Sequence, residues 1–461
     1  MAEAVDVFAR VDWIASPSGT LHGEARVPGD KSISHRALML AAIAEGISRI
    51  SGFLESDDTR ATAAILQQLG VRIDTPVDGE RIVHGVGLHG LRASVDSGAG
   101  GALDCGNAGT GMRLLCGLLA GQAFDSELVG DASLSRRPMA RVIEPLQAMG
   151  ALIHSNAGGL PPLRMTGGQS LRGIEFASPV ASAQLKSALL LAGLYADGVT
   201  TVREPQPTRD YTERMLAAFG WPLSFSAGIA TLEGGHRLRA TDIAVPADFS
   251  SAAFFIVAAS VVPGSELRLR TVGMNPRRTG LLIVLRAMGA DIVEQEIVAT
   301  DAREHGEALA DLLVRSAPLH GIDVPPELVA DMIDEFPILF IAAALADGVT
   351  TIRGAAELRV KESDRIVAMA AGLRALGVAI EETPDGAVIH GIGASGTLDA
   401  ATIASHGDHR IAMSFAVAAQ RASGEVRIAD CANVATSFPG FVELATGLGL
   451  GLRVGIARGL S

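Results

Sequence analysis

The stretch from Pro28 to Arg36, P-G-D-K-S-I-S-H-R, places turn residues, hydroxyls and cations directly before an apolar helical run. Pro, Gly and Asp favour a turn, and Ser32 or Ser34 could cap the helix that follows, which would leave backbone N–H groups free at its start. Cations such as Lys31 oppose the helix dipole there by about 0.3–1 kcal/mol each, unless an anion lies among them. The pattern is therefore typical either of a solvated helix start or of a phosphate site.

Six further polar segments lie at or near the starts of predicted helices. Taken singly, each is more typical of a turn or a solvated helix face than of a binding site. Lys361 and Arg365 form a like-charge pair at i, i+4, which is unfavourable unless something anionic lies between them. The segments are C-G-N-A-G-T-G-M-R at 105–113, S-R-R-P at 135–138, A-S-A-Q-L-K at 181–186, D-M-I-D-E-F-P at 331–337, R-V-K-E-S-D-R at 359–365 and G-D-H-R at 407–410.

Together, these segments supply charges that could converge on one cleft. Asp334 and Glu362 are the only acids that we expect there, and two carboxylates among cations suit proton transfer on a polyanionic substrate. We therefore expect a cleft for two anionic groups. Its predicted cations are Lys31, Arg36, Arg137, Lys361, Arg365 and Arg410.

The composition is that of an ordinary globular protein. The chain has 461 residues, of which 48% are hydrophobic and 19% charged, so it can bury the cores of two to four domains. Its net charge of −13 argues against nucleic acid or an anionic membrane as a partner. An anionic ligand would therefore require a local basic cluster on an acidic protein.

Three cysteines, with no C-x-x-C pair, favour a reducing compartment and argue against a structural metal site. The longest apolar run, residues 252–262, is too short to span a bilayer. The first residues show neither a basic secretory start nor an Arg-rich transit pattern. We therefore expect a cytoplasmic protein without a metal.

Internal repetition indicates the fold. The octet A-D-G-V-T-T-V-R at 196–203 returns as A-D-G-V-T-T-I-R at 346–353, and the same frame fits six places roughly 75 residues apart. Each unit has an apolar helix, a glycine, a β-rich run, a turn and an amphipathic helix that closes near a second glycine. The first glycines are Gly46, Gly121, Gly198, Gly264, Gly348 and Gly424, and the closing ones are Gly70, Gly150, Gly220, Gly289, Gly377 and Gly447.

A short strand candidate follows each closing glycine, so each unit is predicted to be β-α-β-α-β-β with its first helix buried. The period is too long for a stacked solenoid, which favours compact groups of units. We expect an α/β (α+β) protein of two similar three-repeat domains, one of residues 26–244 and one of residues 1–25 with 245–461. The active site would lie in the interdomain cleft, near Lys31.

Eight segments, in this order, resemble those of the enolpyruvylshikimate-phosphate synthase family (3-phosphoshikimate 1-carboxyvinyltransferases). The resemblance runs from about Leu21 to Leu448, nearly the whole chain, and the order of the eight makes it specific. The segments are P-G-D-K-S-I-S-H-R, G-N-A-G-T-G-M-R, G-D-A-S-L-S-R-R-P-M, A-S-A-Q-L-K-S-A, D-E-F-P, R-V-K-E-S-D-R, D-H-R-I-A-M and T-S-F-P.

The resemblance implies the two-domain enolpyruvyl transferase fold, an inverse α/β prism. It also implies that the enolpyruvyl group of phosphoenolpyruvate (PEP) is transferred to the 5-hydroxyl of shikimate 3-phosphate, with release of phosphate. This reaction belongs to the shikimate pathway of chorismate and aromatic amino acid biosynthesis. It uses no metal or organic cofactor, and we expect a monomer.

The site residues follow from the same resemblance, position by position. Lys31, Asp334 and Glu362 are the expected catalytic residues: Asp334 would take the proton of the 5-hydroxyl, while either Glu362 or Lys31 would deliver a proton to the PEP methylene. The shikimate 3-phosphate ligands would be Lys31, Ser32, Arg36, Ser182, Ala183, Gln184, Arg209, Asp334 and Lys361. The PEP ligands would be Lys31, Asn107, Gly109, Arg137, Gln184, Arg365 and Arg410.

Some positions depart from the family pattern. Thr436 stands where some members have a Lys, and Leu114 stands where others have a Pro. With Arg209-Asp210-Tyr211, these departures suggest a divergent, class II-like branch. They leave open how strongly glyphosate, the family's inhibitor, would bind, but they do not affect the expected reaction.

Two other interpretations are open at this point. UDP-N-acetylglucosamine enolpyruvyl transferases share the fold, but they typically carry a Cys in the loop before the Arg-Pro pair and a Lys-Asn in the first motif. Here that loop has Ala132 and Ser133, and the first motif is Lys31-Ser32. A non-catalytic repeat scaffold would explain the repeats, but not why each unit carries a different polar set at the same place.

Overall fold

The computed structural model describes residues 11–93, 101–297 and 306–455. The helices of this part are α1 (Lys31–Ala42), α2 (Asp57–Gln68), α3 (Gly109–Ala120), α4 (Ala140–Ala148), α5 (Ala183–Gly193), α6 (Tyr211–Ala218), α7 (Phe249–Val261), α8 (Gly280–Ala287), α9 (Phe336–Ala344), α10 (Arg365–Ala375), α11 (His409–Ala418) and α12 (Phe441–Gly447).

The strands of the same part are short. They are β1 (Asp12–Ser16), β2 (His22–Ala25), β3 (Glu45–Ser51), β4 (Arg72–Asp74), β5 (Glu80–Val86), β6 (Leu103–Asp104), β7 (Ser126–Val129), β8 (Leu152–Asn156), β9 (Leu160–Thr166), β10 (Glu175–Ala177), β11 (Val199–Arg203), β12 (Leu223–Ser226), β13 (Ile229–Glu233), β14 (Ile243–Ala244), β15 (Glu266–Gly273), β16 (Asp291–Glu296), β17 (Leu309–Arg315), β18 (Asp347–Ile352), β19 (Ala379–Thr383), β20 (Gly386–Ile392), β21 (Thr402–Ala404), β22 (Val426–Ala429) and β23 (Gly451–Gly455).

The two kinds of helix alternate along the chain as predicted. The odd-numbered helices are buried nearly all round; every residue of α7, for example, is buried. The even-numbered helices have one apolar face: α2 buries Ile65 and Leu66 but exposes Gln67. This alternation follows from composition, because a helix without a polar face is stable only when it is surrounded by protein.

Six small mixed sheets surround the buried helices. Their strand orders are β14-β3-β5-β4, β6-β7-β9-β8, β10-β11-β13-β12, β16-β17-β15-β2, β18-β20-β19 and β21-β22-β1-β23. Each has an antiparallel group of three strands, and five add a parallel edge strand; in the sheet of β18, an isolated parallel bridge from Asp323 to Thr351 takes that place. The described part therefore contains six copies of one unit, and the mixed α/β fold is the predicted one.

The first two strands complete sheets of the second half of the chain. β1 lies between β22 and β23, with Trp13 opposite both Ile428 and Val454. β2 pairs in parallel with β15. The buried apolar residues accordingly form two cores, one from residues 33–245 and one from residues 13–27 with 247–452. The division into two domains at residues 26 and 244 stays a prediction.

The chain passes between the cores twice, and the two passages pair with each other. The N–H of Asp30 donates to the carbonyl of Pro246, and that of Asp248 donates to the carbonyl of Pro28, both at 2.9 Å. Gly29 is needed between them, because a Cβ there would collide with the carbonyl oxygen of Gly52. These passages place the starts of α1 and α7 side by side.

Two local predictions were wrong. Asp30, and neither Ser32 nor Ser34, caps α1: its carboxylate accepts from the Ile33 N–H at 2.8 Å, because the helix begins at Lys31, before either serine. In the sixth unit Gly447 is the last residue of α12, and Gly449 has the left-handed φ of +107° that closes it.

Candidate active site

A cleft with a volume of about 140 Å³ lies where the starts of α1, α3, α5, α7 and α11 face the segments that precede α9 and α10. Nine Lys or Arg side chains and six Asp or Glu side chains line it, so the cleft has an excess of three positive charges in a chain whose net charge is −13. The acids are more numerous than expected. Asp30, Asp58, Asp248 and Glu357 join Asp334 and Glu362, which corrects the prediction of only two.

Asp334 lies two residues before α9, in the middle of a group of cations. Its carboxylate is 2.9 Å from Arg278, 3.5 Å from Arg209, 3.6 Å from Lys361 and 3.9 Å from Arg365. Burial opposes ionisation, but the nearby cations outweigh it and hold the pKa of Asp334 well below its usual range. The group is therefore ionised, as a proton acceptor must be.

Glu362 lies between two guanidinium groups. Its carboxylate is 2.6 Å from Arg365 in its own segment and 3.3 Å from Arg137 on the other side of the cleft. Burial favours the neutral acid, yet Arg365 and Arg137 hold the pKa of Glu362 well below its usual range. Glu362 is thus a second ionised carboxylate.

Arg365 connects these two carboxylates. Its Nη1 lies 3.9 Å from Asp334 and its Nη2 lies 2.6 Å from Glu362, while its Nε donates to Asp408 at 2.8 Å. Asp334 therefore lies within 4 Å of both Arg365 and Lys361. This explains the like-charge pair, because an anion does lie close to both cations.

Lys31 is the first residue of α1, and its ammonium group is held from both sides of the cleft. It donates to Asp58 at 2.9 Å and to the hydroxyl of Ser437 at 2.7 Å. Burial raises the pKa of Asp58 even though Lys31 lowers it. The ammonium group is thus fixed in place with a buried carboxylate behind it.

The glycine-rich segment and Arg137 form another wall. The Nη2 of Arg137 donates to the Asn107 side chain at 2.7 Å, and Asn107 donates to Asp131 at 2.7 Å. A Cβ on Gly109 would stand 3.1 Å from Arg137 Nη1 and 3.4 Å from Arg113 Nη1. Burial and, after it, the neighbouring Arg141 and Arg137 lower the pKa of Arg113 to about 9.

The start of α5 supplies polar groups. Ser182 caps the helix by accepting from the Leu185 N–H, and Gln184 bonds both Arg113, at 2.8 Å, and Thr110, at 2.9 Å. The cleft is also lined by Ser32, Ala183, Arg209 and Arg410, and the last of these donates to the Asp334 carbonyl at 2.8 Å.

Among the described residues, no group of three or more His, Cys, Asp or Glu is placed to hold a metal ion. Nor does this part of the chain contain a helix long and apolar enough to cross a membrane.

Comparison with known proteins gives a consistent result. The family model for EPSP synthase (3-phosphoshikimate 1-carboxyvinyltransferase) matches residues 15–444. The chain belongs to the EPSP synthase family. It is 66% identical over 440 residues to the 3-phosphoshikimate 1-carboxyvinyltransferase of Xanthomonas campestris pv. campestris strain 8004, covering 95% of this chain and 98% of that protein. The corresponding protein of Xanthomonas oryzae pv. oryzae strain PXO99A is 65% identical over 95% of this chain and 97% of its own length.

A solved structure supports the same membership. The EPSP synthase of Acinetobacter baumannii superposes with a TM-score of 0.85 at 49% identity, covering 96% of this chain and all of that one. The chain therefore has the two-domain fold of the EPSP synthases.

One residue that the family resemblance assigned to shikimate 3-phosphate lies behind the side chains that line the cleft. Arg36 is buried behind the cleft wall and does not line it. Its donors are bonded to Thr212 at 2.7 Å, Ser187 at 2.7 Å and the Ser32 carbonyl at 2.9 Å. In this structure Arg36 therefore supports Ser32 from within the core, because α1 presents this face to α5 and α6. Its role as a shikimate 3-phosphate ligand stays a prediction.

Sequence reasoning missed Arg278, which is buried and contacts Asp334 most closely of the cations. It belongs to N-P-R-R-T at 275–279, a polar turn of the fourth unit, and two adjacent arginines after a proline were the available signal. Thr436, the departure from the family pattern, bonds the Asn433 carbonyl within its own turn, and its neighbour Ser437 is the residue that reaches the cleft.

Proposed function

We propose that this EPSP synthase transfers the enolpyruvyl group of PEP to the 5-hydroxyl of shikimate 3-phosphate. The products are phosphate and 5-enolpyruvylshikimate 3-phosphate, in the shikimate pathway of aromatic amino acid biosynthesis. The observation that carries the proposal is the Arg365 guanidinium bridging two ionised carboxylates, Asp334 and Glu362, in a cleft with excess positive charge. Such an arrangement suits proton transfer on a polyanion.

Shikimate 3-phosphate would lie between the starts of α1 and α5. Its phosphate is the group best suited to the hydroxyls and N–H groups of Ser32 and Ser182, with Gln184, Arg209 and Lys361 around the ring. A helix N-terminus binds phosphate because its first N–H groups have no partner within the helix. Asp334 would face the 5-hydroxyl from the opposite side.

PEP would occupy the wall formed by the glycine-rich segment. Arg137, Arg365 and Arg410 are the cations available for its carboxylate and phosphate, since guanidinium groups bind both in a bidentate manner. Asn107 and Gly109 would complete the pocket, with Lys31 between the two substrates.

The proposed chemistry is an addition followed by an elimination. Asp334 takes the proton of the 5-hydroxyl as that oxygen adds to C2 of PEP, and a proton is delivered to the methylene carbon, which becomes a methyl. Because Glu362 is held ionised, the ammonium group of Lys31 is the proton donor that we propose. The tetrahedral ketal then loses phosphate, which takes up the proton held by Asp334, and Glu362 removes a methyl proton to restore the double bond. That proton returns to Lys31, so all three groups regain their starting protonation.

The reaction as proposed needs no cofactor, because the cations that line the cleft can stabilise the charges of both substrates. Shikimate 3-phosphate would bind first and neutralise cations from both sides of the cleft, and PEP would follow into a drier site. All groups invoked belong to one chain, so we also propose a monomer; a cytoplasmic location stays a prediction.

Release of inorganic phosphate tests this function. The purified protein, treated with EDTA, should release phosphate only when PEP and shikimate 3-phosphate are both present, and proton NMR should show the vinyl ether product. UDP-N-acetylglucosamine in place of shikimate 3-phosphate should give no release. Phosphate release from PEP alone, or release that depends on the sugar nucleotide, would overturn the proposal.

A further inference from the structure

Behind the cleft wall, three buried charged side chains form a cluster that the proposed chemistry does not use. The ammonium group of Lys186, on α5, lies 2.8 Å from Glu204 and 2.8 Å from Glu213. All three side chains are at most 3% exposed. Burial disfavours the charged ammonium, but the two carboxylates outweigh it and raise the pKa of Lys186.

The cluster is attached to the cleft through one residue. Glu204 accepts from the Thr208 N–H at 3.2 Å and from the Thr208 hydroxyl at 2.5 Å, and Lys186 donates to the Thr208 carbonyl at 3.4 Å. Every polar group of Thr208 is therefore bonded to the cluster. The next residue is Arg209, whose guanidinium enters the cleft and lies 3.5 Å from Asp334.

Stability alone does not explain the cluster. A buried ion pair is often no more stable than apolar side chains of the same volume, because the charges must be removed from water. Apolar side chains could not supply the hydrogen bonds that fix the backbone of Thr208. This residue lies between β11 and α6, in a segment that has no secondary structure of its own.

We propose that Lys186 and Glu204 are positioning residues that hold Thr208 so that the Arg209 guanidinium faces the cleft, and that they thereby set the affinity for the phosphorylated substrate. This inference rests on the proposed function, in which Arg209 is a ligand of shikimate 3-phosphate. Neither Lys186 nor Glu204 lines the cleft, so their effect would pass through Arg209.

The test compares shikimate 3-phosphate binding by titration calorimetry in a double-mutant cycle. Lys186→Met with Glu204→Gln removes the pair without changing the net charge of the cluster. Because the charge-assisted hydrogen bonds that hold Thr208 are lost, we expect the Kd to rise at least about tenfold. In an Arg209→Ala background the same double substitution should raise the Kd less than about twofold. The guanidinium through which the pair acts is already absent there, so the two effects on the Kd do not add.

Two further variants make the outcome decisive. Thr208→Val removes the hydroxyl bond to Glu204, and because Thr208 itself lines the cleft, the two backgrounds separate a direct effect from one that passes through Arg209. It should weaken binding in the native background but not in Arg209→Ala. Arg81→Met breaks another largely buried pair in the same half, with Glu55, that does not line the cleft. It should lower the melting temperature without changing the Kd.

The inference is overturned if the paired variant binds normally, if its effect adds fully to that of Arg209→Ala, or if Arg81→Met weakens binding equally. If the native protein itself fails to bind shikimate 3-phosphate, the proposed function fails first. These results are distinguishable, because the native protein is titrated in the same experiment.

Discussion

The guanidinium of Arg278 lies 2.9 Å from the carboxylate of Asp334, inside the cleft wall. Arg209, from the first core, reaches the same carboxylate at 3.5 Å. Asp334 is therefore neutralised from both halves of the chain, and its removal would leave the cleft more positive.

Asp334→Asn should separate binding from catalysis. Shikimate 3-phosphate should bind as well as before or more tightly, because a negative charge near an anion is removed. Turnover should fall by about two to four decades if the carboxylate is the base. Calorimetry and steady-state kinetics measure the two effects. The control is Asp331→Asn, which breaks a pair with Arg277 outside the cleft lining. Lost binding with turnover preserved at saturation would show that Asp334 is structural.

Lys31→Ala should remove about 3 kcal/mol of transition-state stabilisation, or two to three decades in kcat/KM, because a fixed cation and the proposed proton donor disappear together. The control is Ser437→Ala, which removes one acceptor of the ammonium group but leaves the Asp58 contact. It should cost less than about tenfold. More than half of the native turnover in Lys31→Ala would rule out its catalytic role.

Gly109→Ala should discriminate between PEP and the longer inhibitor glyphosate. The added methyl would stand 3.1 Å from Arg137 Nη1, in the wall assigned to PEP, and overpacking costs about 1–3 kcal/mol. We expect the glyphosate inhibition constant to rise at least tenfold more than the KM for PEP. Gly111→Ala is the control on the same helix, because its methyl would meet Thr62 and not the cleft. If glyphosate and PEP were weakened equally, Gly109 would not distinguish the two ligands by their length.

His35 should make stability depend on pH. Burial, with Lys31 and Arg36 nearby, lowers its pKa from 6.5 to about 3. The unfolded chain therefore binds a proton between pH 6.5 and 3 that the folded one does not, so stability falls as the pH falls through this range. Between pH 7 and 5, His35 alone should lower the free energy of unfolding by about 2 kcal/mol.

Urea unfolding at both pH values measures this effect. His35→Gln should lose about 2 kcal/mol less than the native protein over that interval. His154→Gln, a change at an exposed histidine, should lose as much as the native protein does. An unchanged pH dependence in His35→Gln would show that His35 is not neutral in the folded state.

The repeats and their helices were predictable because they depend on local patterns. A helix that is apolar all round must be buried, and the closing glycines Gly70, Gly150, Gly220, Gly289 and Gly377 all have a φ between +80° and +104°. The short strands predicted after them were confirmed, because a left-handed glycine ends the helix and the residues that follow favour a strand.

What the sequence could not predict depends on long-range packing. Nothing local indicates that β1 completes the last sheet, about 400 residues away in the chain. Arg36 and Lys31 share one helix, yet one lies in the core and the other in the cleft, and only the positions of α5 and α6 decide between them. Arg278 likewise joins the site because its turn packs against the segment before α9.

The central claim is that PEP passes through a protonated, tetrahedral adduct, and the reaction in deuterium oxide tests it most directly. Addition places a deuteron on the methylene carbon, and elimination then removes one of three methyl hydrogens, so the vinyl group of the product should carry deuterium. Proton NMR of the product should therefore show a partly deuterated methylene in the native enzyme. Phosphate release with a fully protonated vinyl group, or with pyruvate as the only organic product of PEP, would contradict the account.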